Sequence, residues 1–510
     1  MADVMKVWGP PGTGKTTRLM QLLTQELERG VPSERIAFLC HTNAAADVVA
    51  ERAGEGVDKR WFRTIHSACV RRLGIPRESI VDAVDYAEFS RKTGMRIISE
   101  RADGLLEDGA FYIANNYGPV LRAYDLARLT GRTLEDVVAN MPPHSTLVSA
   151  RRVHFIRAWE AYKSAHGLFD FTDMLLKYEA SDVGPLPCDV VFLDEAQDLS
   201  QAQWNVFEKM TLDAKRVYLA GDDDQAIYGF MGGSEWGFLD HACHREEVLS
   251  HSYRVPKLIG ERATRVIQRV QRRKEKAVEW QSGTGDIHRL NLSASNLPWR
   301  AWAAQKKSVL VLARHRKDAR AFSHDLTGVG VPHALGAFSL HNCAEAKIVR
   351  DFALARRGSP LPWRRMAKLL SEGGEQGEAE RVRAAGASDR TLVVEPTKVR
   401  FPWDADEWPR LFARSREKLL RIRAVEVLIR QQGLEVIGSD PHVAVMTMHA
   451  SKGREADITV LITDCNETVR KNLNAPTEIR LAYVALTRAK EKCLILSPRT
   501  DKHITHLTRA

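Results

Sequence analysis

The sequence predicts an α/β protein built as two parallel-sheet domains, each interrupted by a mainly helical insertion. Three observations carry that expectation. Short apolar runs recur, each ending in polar residues: Val4–Trp8, Ile36–Cys40, Val190–Leu193, Val217–Ala220, Val309–Leu312, Val445–Thr447, Ile458–Ile462 and Leu494–Leu496. Helix-period segments lie between them, and buried parallel strands alternating with helices put functional loops at the strands' carboxyl ends. Two intervals, about 70–185 and about 345–440, lack the strand signal and read as helical insertions.

At 510 residues the chain is too long for one core and fits two to four domains. Its 44% apolar and 27% charged content is that of an ordinary globular protein. The excess of 75 Lys+Arg over 65 Asp+Glu gives +10 and a pI near 9.2. That balance favours a polyanionic partner, most simply nucleic acid, although modest excess charge also just keeps proteins soluble. Seven scattered cysteines without a C-x-x-C pair point to a reduced, cytoplasmic chain lacking a zinc site or disulfide frame. No apolar run is long enough to span a bilayer, and the motif that begins at position 9 leaves no room for a cleaved signal peptide.

That motif follows the first strand. Gly9-Pro10-Pro11-Gly12-Thr13-Gly14-Lys15-Thr16-Thr17 matches G-x-x-x-x-G-K-[ST]. A helix-period run (Leu19, Leu22, Leu23, Leu27) comes next and stops at Gly30, completing the strand–loop–helix context. Glycines let successive backbone N–H groups turn inward, the helix N-terminus adds positive charge, and Lys15 reaches the β/γ-phosphates. Thr16 would offer its hydroxyl to Mg²⁺. Nucleotide binding is the expectation.

Further along, the apolar strand Val190–Leu193 runs into Asp194-Glu195-Ala196-Gln197-Asp198. One carboxylate there can hold Mg²⁺ while its neighbour polarises an attacking water. Acids after strands are common, and a helix N-cap at Asp198 is an even alternative until the phosphate loop is weighed. Together the two motifs point to nucleotide hydrolysis. Between Arg262 and Lys276, cations at 262, 265, 269, 272 and 276 follow helical spacing opposite Ala263, Val266, Ile267 and Val270. A basic stripe suits a DNA-facing surface; a simply solvated face is the commoner reading. In the second insertion, the polar stretch Ser371–Glu378 reads as an exposed loop. The domains are expected at 1–70 plus 186–248 and at 249–344 plus 441–510, with insertions at 71–185 and 345–440.

With Asp194–Asp198 reading DEAQD, the chain resembles the UvrD/Rep/PcrA-type helicases of superfamily 1A, and other signatures follow in order. Cys40-His41-Thr42-Asn43-Ala44-Ala45-Ala46 stands where that family carries a TFTNKAA-like segment. Thr64-Ile65-His66-Ser67 is similar to TFHS, and Asp170-Phe171-Thr172-Asp173-Met174 to DFDDL. Gly221–Phe230 looks like GDDDQSIYGW, Tyr253-Arg254 like the end of NYR, Met446–Glu455 like TIHSAKGLE, and Leu481–Lys490 like LAYVALTRAK. The match runs from near residue 5 to near residue 496.

The resemblance implies two RecA-like domains that clamp ATP and Mg²⁺ between them. It implies that Gly9–Thr17 bind phosphate, Thr16 and Asp194 the metal, and that Glu195 is the base for water. Gln225 would sense the γ-phosphate, Arg254 and Arg488 would reach it from the second domain, Tyr253 would stack on adenine and Glu455 contact the ribose. His41, Thr42, Asn43, Thr64, His66, Tyr228, Phe230 and His449 fall where the family contacts single-stranded DNA. Hydroxyls and amides hold such strands by their phosphates and aromatic faces by their bases; for Phe230 an apolar anchor, and for His41 and His66 a structural role, are the alternatives.

Departures are also legible. The upstream glutamine element that reads adenine in the family is absent from this sequence. Phe230 stands for Trp, Met231 for Arg, Ala44 for Lys and His41 for Phe. The insertion at 345–440 is shorter than in full-length relatives, and a C-terminal partner tail is expected to be trimmed. The resemblance thus implies an ATP-dependent DNA helicase moving 3′ to 5′ in replication, repair or recombination. The alternative is a DNA-stimulated ATPase that translocates or strips proteins with little unwinding. A nucleotide-dependent binding module sits poorly with Lys15, Asp194, Glu195, Gln225, Arg254 and Arg488 all in place; RNA stays open as substrate. Single strands and junctions, accessory replication or repair proteins, and a monomeric state are the expected partners and assembly.

Overall fold

The computed structural model describes residues 2–508, apart from 96, 98, 101–111, 114–116, 140–148, 235, 284, 292, 337, 341–342, 404–407, 414 and 439–440. Its first lobe is a six-stranded parallel sheet in the order Phe62–Thr64, Ile36–Cys40, Val190–Leu193, Arg216–Gly221, Asp3–Trp8, Arg245–Val248. The central strands are apolar on both faces because helices cover both. Ile36, Phe38 and Cys40 enter one core with Val190 and Phe192, while Ala37 and Leu39 enter the other with Val191 and Leu193.

The second lobe is a seven-stranded sheet: Asp286–Leu290, Ala489–Leu496, Ala456–Leu461, Val309–Ala313, Val443–Thr447, His333–Leu335, Phe338–Ser339. All its pairs are parallel except the last. Val309, Val311 and Ala313 face one core and Leu310 and Leu312 the other. The lobes are therefore two RecA-like α/β units. All eight strands anticipated from apolar runs are present. The unanticipated ones include edge strands such as Arg245–Val248 and Asp286–Leu290, which are mostly exposed and polar and so carry no apolar signature.

The interval 70–185 folds mainly as helices, Ala83–Thr93, Gly118–Thr130, Leu134–Ala139, Ser149–His166 and Phe171–Ala180, with one short antiparallel pair, Ser99–Glu100 and Tyr112–Ile113, that the sequence reading did not anticipate. The helical reading of 101–111, 114–116 and 140–148 falls outside the described residues. Phe89, Leu121, Phe155 and Trp159 make a separate small core, with Phe89 edge-on to Trp159 at 5.1 Å. Phe171–Ala180 behaves differently. Its Met174, Leu175 and Tyr178 pack with Trp204 and Phe207 inside the first lobe, although the sequence boundary assigned them to the insertion. The second insertion packs Ala344–Arg356, Trp363–Glu372, Gln376–Ser388 and Arg416–Gln432 around Phe352, Leu370, Phe412 and Leu428. The expected loop Ser371–Glu378 is a correction: both its ends are helical, and only Gly373-Gly374-Glu375 turns the chain. Gly374 at φ +96° supplies the reversal. No helix among the described residues is long and apolar enough to cross a membrane.

Topology sets what meets at the seam. Gly9, Asp194 and Asp222 directly follow the carboxyl ends of first-lobe strands. Glu455 and Arg488 precede the amino ends of the paired strands Ala456–Leu461 and Ala489–Leu496, where Ala456 N–H donates to the Arg488 carbonyl at 3.1 Å. Ile227 and Tyr228, from the first lobe, join the second lobe's core.

Candidate functional site

The phosphate loop is shaped by its glycines. Gly14, at φ +81°, caps the helix Lys15–Glu28, a backbone geometry that L side chains rarely adopt. A Cβ on Gly9 would lie 2.5 Å from Lys15 Cγ, so only glycine lets the lysine fold back. The buried Lys15 Nζ donates to the Gly9 carbonyl at 2.9 Å, which holds the ammonium within the loop. Thr16 Oγ1 donates to Asp194 Oδ2 at 2.5 Å, bringing together the two oxygen ligands expected for the cation.

Burial and the neighbouring Glu195 charge push the Asp194 carboxyl up to about 6. For Glu195 burial works in the same direction, but the Lys15 and Lys452 charges outweigh it and lower its pKa. Glu195 also stands at φ 54°, one of two non-glycine residues at positive φ among those described. Such a conformation persists only where surroundings over-determine it. Here Glu195 N–H donates to Asp194 Oδ1 at 2.9 Å, and Gln197 Nε2 donates to Glu195 Oε2 at 2.5 Å.

From the second lobe, the strand His251–Pro256 lies against the loop. Tyr253 N–H donates to the Gly12 carbonyl at 2.9 Å, and Ser252 Oγ to the Pro11 carbonyl at 2.8 Å. Gly12, at φ +78°, permits this approach, since a Cβ there would come within 2.5 Å of Arg254 Cβ. Arg254 Nε pairs with Glu455 Oε2 at 2.5 Å, and Lys490 Nζ with Glu455 Oε1 at 2.8 Å. Arg488 is buried. Its Nη2 donates to Gln225 Oε1 at 3.2 Å, its Nε to the Val484 carbonyl at 2.9 Å and its Nη1 to the Arg454 carbonyl at 3.2 Å. Burial, then the Arg254 charge, lower its pKa to about 10, so it remains a cation at neutral pH. Gln225 Nε2 donates in turn to Asp222 Oδ2 at 2.8 Å. Tyr253 is 71% exposed, touching His251 edge-on at 4.6 Å, and keeps an open ring face.

Of the residues expected along a strand track, Tyr228 and Phe230 meet His449 across the seam, and the others lie on the first-lobe side. Thr42 and Thr64 each cap a helix, their oxygens accepting from Ala45 N–H and Ser67 N–H, which leaves each hydroxyl hydrogen free to donate. Asn43 opens the helix Asn43–Arg52. Phe230 is 55% exposed and lies edge-on to His449 at 4.9 Å. Burial lowers the pKa of His66 to about 4 and of His449 to about 3, so both are neutral and offer hydrogen bonds or ring faces rather than charge. His41 stacks on Tyr228 at 6.2 Å, and His66 meets Phe171 edge-on at 5.7 Å. Tyr228 is a correction. It is buried between the lobes, its hydroxyl donates to the His449 carbonyl at 3.3 Å, and Lys452 Nζ sits 5.0 Å from its ring centre, so it presents no face to a base.

Residues 1–242 match the family model for the UvrD/REP helicase N-terminal domain, and residues 412–499 that for the UvrD-like helicase C-terminal domain. The chain belongs to the UvrD/Rep helicase family. Among curated relatives, "ATP-dependent DNA helicase PcrA" of Staphylococcus epidermidis is 25% identical over 300 residues, covering 54% of this chain and 39% of that protein. The protein of the same name from Staphylococcus aureus is 24% identical over 298 residues, again covering 54% and 39%. The match thus spans about two fifths of those relatives' length. A solved chain titled "The structure of PRRSV helicase" covers 98% of this chain and 53% of its own length at TM-score 0.35 and 10% identity, a likeness too slight to carry weight.

Within this UvrD/Rep chain, the basic stripe needs correcting. The helix ends at Ile267, and Arg262 is buried with Nη2 donating to the Leu507 carbonyl. Arg269 meets His506, and Arg272 pairs with Asp240 at 2.6 Å. Lys276 is buried among Asp222, Asp223 and Asp224, at 2.9 Å from Asp222 and 3.0 Å from Asp224. Four of the five cations are thus engaged within the protein, two in ion pairs and two with a carbonyl and a histidine, by partners that lie outside the stripe itself. That acid triad and the group Glu160, Asp170 and Asp173 have metal-like spacing, but Lys276 fills the first, and Lys163, at 2.7 Å from Asp170, fills the second. The N-cap alternative for Asp198 also fails: Ser200 caps the helix Gln201–Met210. Three buried residues quoted within motifs but given no role sit at the heart of the seam: Gln197, Asp198 and Lys452.

Proposed function

We propose that this chain is an ATP-dependent DNA motor, hydrolysing ATP in the seam between its lobes and moving 3′ to 5′ along single-stranded DNA. One observation carries the reading: Arg254 lies against Gly12 of the phosphate loop, and Arg488 bonds Gln225 across the same seam. Phosphoryl transfer spreads negative charge over equatorial oxygens, and guanidinium groups held nearby stabilise it. Lys15 and the loop amides bind phosphate, and Glu195 accepts the proton of the attacking water. Gln225 reports the γ-phosphate to Arg488, Tyr253 stacks on adenine and Glu455 reaches the ribose. The adjacent Thr16 hydroxyl and Asp194 carboxylate fit Mg²⁺ and would hold it, supplying charge neutralisation of the phosphates when bound.

Because cradle and arginines belong to different lobes, nucleotide favours the closed seam and hydrolysis releases it, a two-state change driven by differential contacts. A strand lying along Thr42, Asn43, Thr64, His66, Phe230 and His449 is gripped alternately by the two lobes. We assign single strands and single-strand/duplex junctions as the substrate, in DNA replication, repair or recombination in the cytoplasm. The chain acts as a monomer, and accessory replication or repair proteins remain its expected partners.

ATPase activity with and without single-stranded DNA, followed by unwinding of 3′-tailed against 5′-tailed duplexes, tests the proposal. Strong stimulation and preference for the 3′ tail are expected. Turnover without unwinding would leave a translocase, preference for the 5′ tail would reverse the polarity, and absence of turnover would end the motor reading. Phe230→Ala is expected to weaken binding of a labelled oligothymidylate by about 1–3 kcal/mol, the worth of one base–aromatic stack. Its affinity should also fall as salt rises.

A further inference from the structure

We infer that Lys452 is a positioning residue that ties the general base to the docking of the second lobe, acting through Asp198 and Gln197. The inference rests on the hydrolytic reading of the seam and extends it to a group whose ammonium bonds a carboxylate and a carbonyl of the first lobe. Lys452 projects from the second lobe, between the strands Val443–Thr447 and Ala456–Leu461, into the first. Its ammonium donates to both Asp198 oxygens and, at 2.7 Å, to the Gln225 carbonyl. All three of its protons are thereby used. One lysine grips both first-lobe loops, the one bearing Glu195 and the one bearing Gln225.

Gln197 passes this grip on. Its amide nitrogen donates to Glu195 Oε2 at 2.5 Å and to Asp198 Oδ2 at 3.2 Å, while its carbonyl accepts Asp222 N–H at 2.9 Å. Both N–H groups and the oxygen of the buried amide are bonded, so the group cannot rotate without breaking a bond. The chain Lys452–Asp198–Gln197–Glu195 therefore sets where the Glu195 carboxylate points. Glu195 needs such support, because its φ of 54° is a conformation that its own residue type disfavours. Withdrawal of the second lobe removes Lys452, frees Asp198 to compete for the Gln197 amide and lets the base turn away from its working position.

The test compares the unaltered chain with Lys452→Met, Lys452→Arg, Gln197→Ala and the double variant Asp198→Asn/Lys452→Met, which leaves no buried charge unpaired. We expect Lys452→Met, Gln197→Ala and the double variant to lose about 10²-fold in kcat, the scale of a misplaced catalytic group. KM for ATP and the Kd of a non-hydrolysable analogue should stay unchanged, and Lys452→Arg should recover part of kcat. The double variant should be no slower than Lys452→Met alone, since both break one chain. Near-normal kcat in a folded Lys452→Met or double variant overturns the inference. So does a rise in KM alongside the fall in kcat, or loss of cooperative unfolding in all three, which would mark a merely structural tie. If the unaltered chain shows no turnover, the hydrolytic reading itself falls; if it turns over and the variants match it, only the positioning role is lost.

Discussion

Arg488→Ala is expected to lower DNA-stimulated ATP turnover by about 10³–10⁵-fold, the range over which arginine fingers act in phosphoryl transfer. The side chain is buried at the seam and bonded to Gln225 Oε1, the Val484 carbonyl and the Arg454 carbonyl. These bonds hold the planar guanidinium in one orientation, so little reorganisation is left for the transition state. Lysine has one nitrogen and cannot span those acceptors, so Arg488→Lys is expected to restore little. Nucleotide affinity should change far less than kcat, because the phosphate cradle belongs to the other lobe. Single-turnover kinetics with an equilibrium titration of a fluorescent analogue checks both parts. A variant with near-normal kcat would remove Arg488 from the chemistry.

The second large effect concerns the cradle. Lys15→Ala is expected to abolish measurable turnover while leaving the fold intact. The hydrogen bond from Lys15 Nζ to the Gly9 carbonyl is worth about 0.5–1.5 kcal/mol net, and the Lys15 charge also offsets the buried Glu195 carboxylate, so the thermal midpoint should fall while cooperative unfolding persists. Loss of the positive charge from the loop falls directly on the phosphates, in a buried site where charge is poorly screened. ATPase assay beside a circular-dichroism melt separates these outcomes. An active variant would show that loop amides alone suffice.

Much of the site was legible because its chemistry is written locally. The phosphate loop needs consecutive glycines, a lysine and a threonine in one short stretch between strand and helix, and Asp194 and Glu195 need only a strand to carry them. Helices were legible by period, yet Ser371–Glu378 was misread. A polar, glycine-rich stretch looks the same whether it is a long loop or two helix ends joined by a three-residue turn. Edge strands such as Arg245–Val248 escaped because half their surface meets water. The basic stripe misled for a related reason: helical spacing says which residues share a face, not what faces them. Lys276 found three aspartates from the first lobe, and Arg262 the Leu507 carbonyl, 245 residues away. Tyr228 sits inside a motif associated with single strands, but packing turned it into a tie between lobes.

By itself, the sequence determined the two α/β lobes, the phosphate loop, the acid pair and the order of the motifs, since each depends on short-range patterns of polarity and backbone freedom. Only the tertiary structure decided which cations serve the seam and which are consumed as internal ties, and how Glu195 is held. Lys452 and Asp198 are separated by 254 residues. Nothing local in either segment encodes their meeting, because a contact between lobes arises from the packing of whole sheets and from the desolvation that makes a buried charge seek its partner.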